Sequence, residues 1–156
     1  MAAPKILFWG ADHAGFELKQ KLIEHFKKKI ICEDLGTNSS ESCDYPDFAE
    51  SVAKKVLDNS GSLGVLICGT GLGMSMAANK VHGIRAGAVS ETFSAEMARR
   101  HNDAQILCVG SRVLSFDKAR ECIEAFLATE LDIENPRHLR RIHKIQRIEE
   151  NGATSD

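Results

Sequence analysis

The sequence has no strong net charge, no C-x-x-C pair, no apolar run of membrane-spanning length and no internal repeat. Its 20 Lys and Arg against 22 Asp and Glu leave a formal net charge of −2, which argues against a general nucleic-acid or membrane-surface binder. The N-terminus, Met1-Ala2-Ala3-Pro4-Lys5, leads into a short apolar strand rather than the apolar core of a signal peptide. Cysteines at 32, 43, 68, 108 and 122 are odd in number. They read as reduced thiols of a cytoplasmic protein, not as a disulfide framework or a zinc site. No His, Asp and Glu cluster has metal-ligand spacing. Two nucleotide signatures are also missing. After Gly69-x-Gly71 the third fingerprint position is Met74, and no Gly-Lys-Ser/Thr follows a glycine loop.

What remains is an ordinary globular chain of 156 residues, 43% hydrophobic and 27% charged, read as a single domain with a real core. Apolar runs alternate with helical periodicity. Strands are expected at Lys5–Gly10, Ile30–Asp34, Leu63–Cys68, within Gly83–Val89 and at Gln105–Val109. Helices are expected over Phe16–Lys29, over Tyr45–Asn59 behind an Asp44 cap, and over Met74–Lys80. Two more run from Ser90 or Thr92 to about His101, and from a Ser115 cap to about Thr129. This alternation predicts an α/β fold, a doubly wound five-stranded parallel sheet with helices on both faces.

Ligands of such a sheet sit beyond the C-terminal strand ends. The expected ends here carry Asp12-His13, Cys68-Gly69-Thr70, Ser90-Glu91 and Gly110-Ser111-Arg112. The segment Leu66 to Ser75 is the most informative of these. Alternate glycines at 69, 71 and 73 let backbone N–H groups converge in one concavity ahead of a helix, a seat for an anion. Cys68 stands at its lip, where the helix dipole favours a thiolate. On its own a cysteine such as Cys68 is more often a small buried hydrophobe, and Arg112 reads equally as a surface charge.

Near the C-terminus, Asn135-Pro136 opens a helix on which Arg137, Arg141 and Lys144 share a face with His138 on its flank. Those residues read either as a solvated basic face or as a phosphate clamp. Leu139, Ile142, Ile145 and Ile148 give the helix an apolar stripe that needs a docking surface. His25, His82 and His143 have no motif context, and Cys32, Cys43, Cys108 and Cys122 read as structural.

Several motifs in order make the chain resemble ribose-5-phosphate isomerase type B, within the superfamily that includes galactose-6-phosphate isomerase. They are Gly10-Ala11-Asp12-His13-Ala14-Gly15-Phe16, Asp44-Tyr45-Pro46-Asp47, Ile67 to Ser75, Ala77-Ala78-Asn79-Lys80, Gly83-Ile84-Arg85-Ala86, His101-Asn102-Asp103, Gly110-Ser111-Arg112 and Arg137-His138 with Arg141. The resemblance covers Ile6 to Glu150. It implies one isomerase domain over 1–150 and reversible aldose–ketose isomerisation of ribose 5-phosphate and ribulose 5-phosphate without metal or cofactor, while the last six residues, 151–156, read from their composition as a disordered tail. A family branch without this cysteine uses a carboxylate from elsewhere; Cys68 places the chain in the cysteine branch. Trp9 and the tail depart from the pattern away from the motifs.

Carried over residue by residue, Cys68 is the base moving a proton between C1 and C2. Gly69, Gly71, Gly73 and Ser75, with Asn102, hold the enediolate oxygens. Thr70 handles protons on the O1/O2 side, and His101 with Asp12 assists opening of the furanose ring. Tyr45 lines the sugar. His13, Arg112, Arg137, His138 and Arg141 surround the phosphate. The resemblance places the last three on the second subunit of a homodimer, with a tetramer as the larger alternative, and the C-terminal helix docks on that partner. The chemistry agrees independently: abstraction of a proton α to a carbonyl needs a base and preset oxyanion donors, each donor worth about 2.7–4 kcal/mol of barrier. Competing expectations are a hexose-6-phosphate isomerase acting on allose or galactose 6-phosphate, a non-catalytic phosphosugar-binding module, and a dinucleotide oxidoreductase that lacks its fingerprint.

Overall fold

Leu7, Trp9 and Ala11 point to one side of the first strand and Phe8 to the other, and all four are buried. Such two-sided burial requires helices on both faces. The computed structural model describes residues 4–152. In chain order the elements are β1 (Leu7–Ala11), α1 (Phe16–Phe26), β2 (Cys32–Asp34), α2 (Tyr45–Asp58), β3 (Leu63–Cys68), α3 (Leu72–Ala78) and β4 (Ala86–Ala88). They continue with α4 (Thr92–Arg100), β5 (Ile106–Gly110), α5 (Phe116–Leu127) and α6 (Pro136–Gly152).

The sheet is parallel throughout, in the order β2-β1-β3-β5-β4. One face packs Trp9, Val65, Ile67, Leu107 and Val109 against α1, α4 and α5. The other packs Phe8, Leu66, Cys68, Ile106 and Cys108 against α2 and α3. The expected doubly wound, Rossmann-like sheet is what forms. The chain leaves β1 toward β2 on one side and returns to β3 on the other, so the switch point lies between the ends of β1 and β3.

Local chemistry departs from expectation at several ends. Asp44 precedes α2 but its side chain makes no cap bond; Pro46 in the first turn needs no N–H partner. α4 begins at Thr92, one of the two expected starts, but its cap is Glu91, whose carboxylate accepts the Ser94 N–H at 3.0 Å. Ser115 caps α5 as expected, accepting from the Lys118 N–H. The third helix starts at Leu72, two positions before the expected Met74, because Gly71 takes φ +80°, a left-handed conformation open to glycine, and turns the chain at once.

At the C-terminus, α6 runs through Asn151 and Gly152, past the boundary expected after residue 150. Residues 153–156 of the expected tail, and Met1 to Ala3, lie outside the described residues. Among the described residues, no helix is long and apolar enough to cross a membrane.

Candidate active site

Asp12 and Cys68 end adjacent strands, and the Asp12 N–H donates to the Ile67 carbonyl at 3.1 Å. The Asp12 carboxylate is buried and accepts the Gly15 N–H at 3.1 Å. A Cβ on Gly15 would lie 2.4 Å from the Ile67 oxygen. Only glycine lets the Asp12–Gly15 turn lie flush on β3. In the same turn His13 Nδ1 accepts the Cys43 N–H at 3.2 Å. A neutral His13 ring therefore carries its proton on Nε2, leaving that edge as a donor.

Cys68 is buried, and its Sγ accepts the Gly71 N–H at 3.2 Å. A backbone donor on sulfur stabilises a thiolate. On the neighbouring strand, burial first and the Cys68 charge second push the Cys108 thiol well up, so it stays protonated. Among the described residues the N–H groups of Gly69, Thr70, Gly73 and Met74 make no hydrogen bond. They leave this turn with free donors, as a seat for an anion requires. Thr70 Oγ1 accepts the Leu72 N–H at 3.3 Å, which sets the hydroxyl at its rim.

Ser75 is different. Its N–H donates to Gly71 and its hydroxyl to Ala86, so both its donors are engaged elsewhere. Two further side chains wall the concavity. The Tyr45 ring and the Arg112 guanidinium would lie 2.6 Å and 3.2 Å from Cβ atoms built on Gly73 and Gly69. Arg112 pairs with no carboxylate among the described residues. Beside it a recess of about 310 Å³ is lined by Lys21, Ser111 and Arg112, with Glu17 as its acidic member, and the buried Ser111 hydroxyl has no partner. The Arg112–Ser111 side suits a phosphate by charge and donor count. A larger recess of about 530 Å³, lined by Lys5, Arg99, Asp103 and Gln105 among others, contains none of the expected site residues.

The rest of the expected set gathers elsewhere. His101 and Asn102 follow α4 and precede β5, and the Asn102 carbonyl accepts from Arg85 just ahead of β4. They stand at the N-terminal edge of the sheet. Cys68 pairs in register with Gly110, at the far end of β5. Five residues of strand separate the two edges by roughly 15 Å. His138, in the first turn of α6, stacks on His101 with ring centroids 4.3 Å apart and planes 13° from parallel. Arg137 and Arg141 are exposed on the same helix with no carboxylate partner among the described residues. One chain thus places Asp12, His13, Tyr45, Thr70 and Arg112 at the same edge of the sheet as Cys68. It does not bring His101, Asn102, Arg137, His138 or Arg141 there.

The apolar stripe of α6 is divided. Ile142 is buried against its own chain, and the Glu149 carboxylate accepts the Gly83 N–H at 3.0 Å, whereas Ile145 and Ile148 stay exposed.

One side chain near the site escaped sequence reasoning. Lys19 is fully buried, ion-paired with Asp34, and donates to the Thr37 carbonyl at 2.7 Å. The Thr37 N–H in turn donates to Ala11, directly before Asp12. The signal was its spacing: Lys19, Leu22 and Phe26 fall on one buried face of α1.

Cys68, held by a backbone donor and followed by a turn with free N–H groups, stands at the edge of the parallel sheet where ligands of such folds bind. The family model for ribose/galactose isomerase matches residues 7–145, and the chain belongs to that family. It is 42% identical over 147 residues to ribose-5-phosphate isomerase B of Escherichia coli K12, covering 94% of this chain and 97% of that one. Ribose-5-phosphate isomerase B of Clostridium thermocellum superposes with a TM-score of 0.90 at 42% identity, over 94% and 98% of the two chains. The Mycoplasma genitalium enzyme, solved with bound ribulose-5-phosphate, superposes at 0.87 and 42% identity, over 93% and 96%.

Proposed function

We propose that this isomerase interconverts ribose 5-phosphate and ribulose 5-phosphate, with Cys68 as the base. The observation that carries the reading is the Gly71 N–H on Cys68 Sγ, at the mouth of a concavity whose other N–H groups are free. The thiolate takes the C2 proton of the open-chain aldose, and the electron pair of the C–H bond moves toward O1. The resulting enediolate lies against the N–H groups of Gly69, Thr70, Gly73 and Met74, already oriented for it. Returning the proton to C1, with the hydroxyl proton passed between O1 and O2 beside Thr70, completes the ketose. Arg112 and His13 Nε2–H take the phosphate.

The distant cluster enters through a second copy of the chain. Two-fold pairing sets the His101, Asn102, Arg137 and Arg141 edge of one subunit over the Cys68 edge of the other, twice. His101 and Asn102 then come from the same subunit as the arginines, since the His101–His138 stack ties them together. Exposed Ile145 and Ile148 supply apolar surface for that contact. His101 carries the proton that opens the furanose ring, and Asp12 assists from the other subunit.

Steady-state kinetics on ribose 5-phosphate and allose 6-phosphate test the assignment. A higher kcat/KM for ribose 5-phosphate is expected, with exchange of the C2 proton into solvent. Preference for the six-carbon sugar overturns the substrate, and binding without exchange overturns the enzyme.

A further inference from the structure

We propose that His138 is a positioning residue for His101, holding the ring-opening imidazole in place by stacking on it rather than binding the substrate phosphate. The proposal rests on the reading of His101 as the ring-opening group. His101 ends α4 as its C-cap, with its N–H on Met97, and is half-buried. Nothing on α4 fixes its ring. His138 does: the two imidazoles lie face to face, 4.3 Å apart and 13° from parallel.

The stack is itself held. The Asp132 N–H donates to the Arg100 carbonyl at 3.0 Å, which pins the approach to α6 onto the end of α4. Asn135 turns the chain there, its carbonyl taking the His138 N–H and its side chain the Arg137 N–H. His138 is 4% exposed, so little of its edge is free for a phosphate, while Arg137 and Arg141 beside it are exposed and have no carboxylate partner among the described residues. The division of labour follows from burial: the arginines face outward and His138 faces His101.

Charge supports the same assignment. Two stacked imidazolium rings repel, so one partner must stay neutral when the other carries a proton. The groups facing His138 are His101 at the end of α4, Asp132 in the connection, and Arg137 and Arg141 on α6. Burial lowers its proton affinity first, followed by His101 and the two arginines, with Asp132 opposing. His138 is thus the neutral platform, and the face of a neutral ring attracts the imidazolium formed on His101 when it accepts a proton.

Two variants and one control test this. His138→Leu keeps bulk but removes the flat ring; His138→Phe keeps the ring without a nitrogen. Pre-steady-state opening of cyclic ribose 5-phosphate is compared with solvent exchange of the C1 proton of ribulose 5-phosphate. The ketose has its O5 esterified and cannot close a furanose, so its exchange needs no opening. His138→Leu is expected to slow opening at least tenfold and ketose exchange less than threefold, with His138→Phe recovering most of the loss. The ring-current shift of the His101 Hε1 resonance, read without substrate, should vanish in His138→Leu and persist in His138→Phe. Equal losses in both reactions with raised KM and no recovery by Phe overturn the proposal in favour of a phosphate ligand. Unchanged opening in His138→Leu also overturns it. His101→Asn is the control: unchanged opening there removes the underlying reading of His101, whereas slowed opening there with normal His138→Leu removes only the positioning role.

Discussion

The backbone N–H of Gly71 donates to the sulfur of Cys68 across 3.2 Å. This bond ties the thiol to the turn that starts α3, so the sulfur and the free N–H groups of Gly69, Thr70, Gly73 and Met74 belong to one loop. Moving either displaces the other.

Cys68→Ser keeps the size of the side chain but replaces a thiolate with a poorly ionised hydroxyl. Turnover is expected to fall by at least about 100-fold, the usual scale for a positioned base, with KM for ribose 5-phosphate within about threefold. Alkylation of the wild type should inactivate it, and bound substrate should protect. Retained turnover in Cys68→Ser dismisses the thiol as base.

Gly15→Ala places a methyl group 2.4 Å from the Ile67 oxygen. The turn must lift off β3, carrying Asp12 and His13 away from Cys68. A stability loss of about 1–3 kcal/mol is expected from the overpacking, together with a lower kcat/KM. Urea denaturation and steady-state kinetics on one preparation check both.

Lys19 and Asp34 are expected to respond unequally. Asp34→Ala leaves a fully buried ammonium without its carboxylate, and losing one partner of a buried pair costs about 3–5 kcal/mol. Lys19→Met fills the same space with an apolar chain, while Asp34 keeps the Gly36 N–H and Gln20. Lys19→Met should therefore be the milder variant in denaturant titration. The reverse order contradicts this account of the pair.

His138 sets a pH dependence of stability. Its proton affinity in the fold lies below the ordinary value of 6.5, through burial first. The unfolded chain then binds more protons than the fold in the range just below 6.5. The neutral ring's contribution is therefore complete above that value and is lost as pH falls toward the folded-state value. Unfolding free energy measured at pH 7.5 and 5.5 should drop more on acidification in the wild type than in His138→Phe. Equal drops rule out His138 as the source.

Subunit exchange tests the shared site. Cys68→Ala alone and His101→Asn or Arg137→Ala/Arg141→Ala alone should be nearly inactive. After mixing, half the dimers are hybrids, each with one intact site and one doubly defective site, so recovery should approach about one quarter of wild-type activity. Verified exchange without recovery places the site within one chain.

Strand ends and the glycine turn were legible because they depend on neighbours in sequence. An apolar run meeting Cys68-Gly69-Thr70-Gly71 specifies a buried strand, a tight turn and a set of free N–H groups with no distant partner needed. Caps were less legible. Ser90, Glu91 and Thr92 are all plausible N-terminal residues of α4, and the extended backbone of Glu91, with its carboxylate reaching Ser94, decided among them. The partner of Lys19 was not legible, because β2 supplies Asp34 from another element.

Sequence alone determined the alternation of strands and helices, the parallel sheet, and the residues that end its strands. These follow from hydrophobic periodicity and backbone chemistry within short windows. Tertiary structure decided which of those residues meet. Strand direction fixes the ends at which connections emerge, so Asp12, Thr70 and Arg112 reach Cys68, while His101 and His138 stack at the opposite edge, roughly 15 Å of strand away.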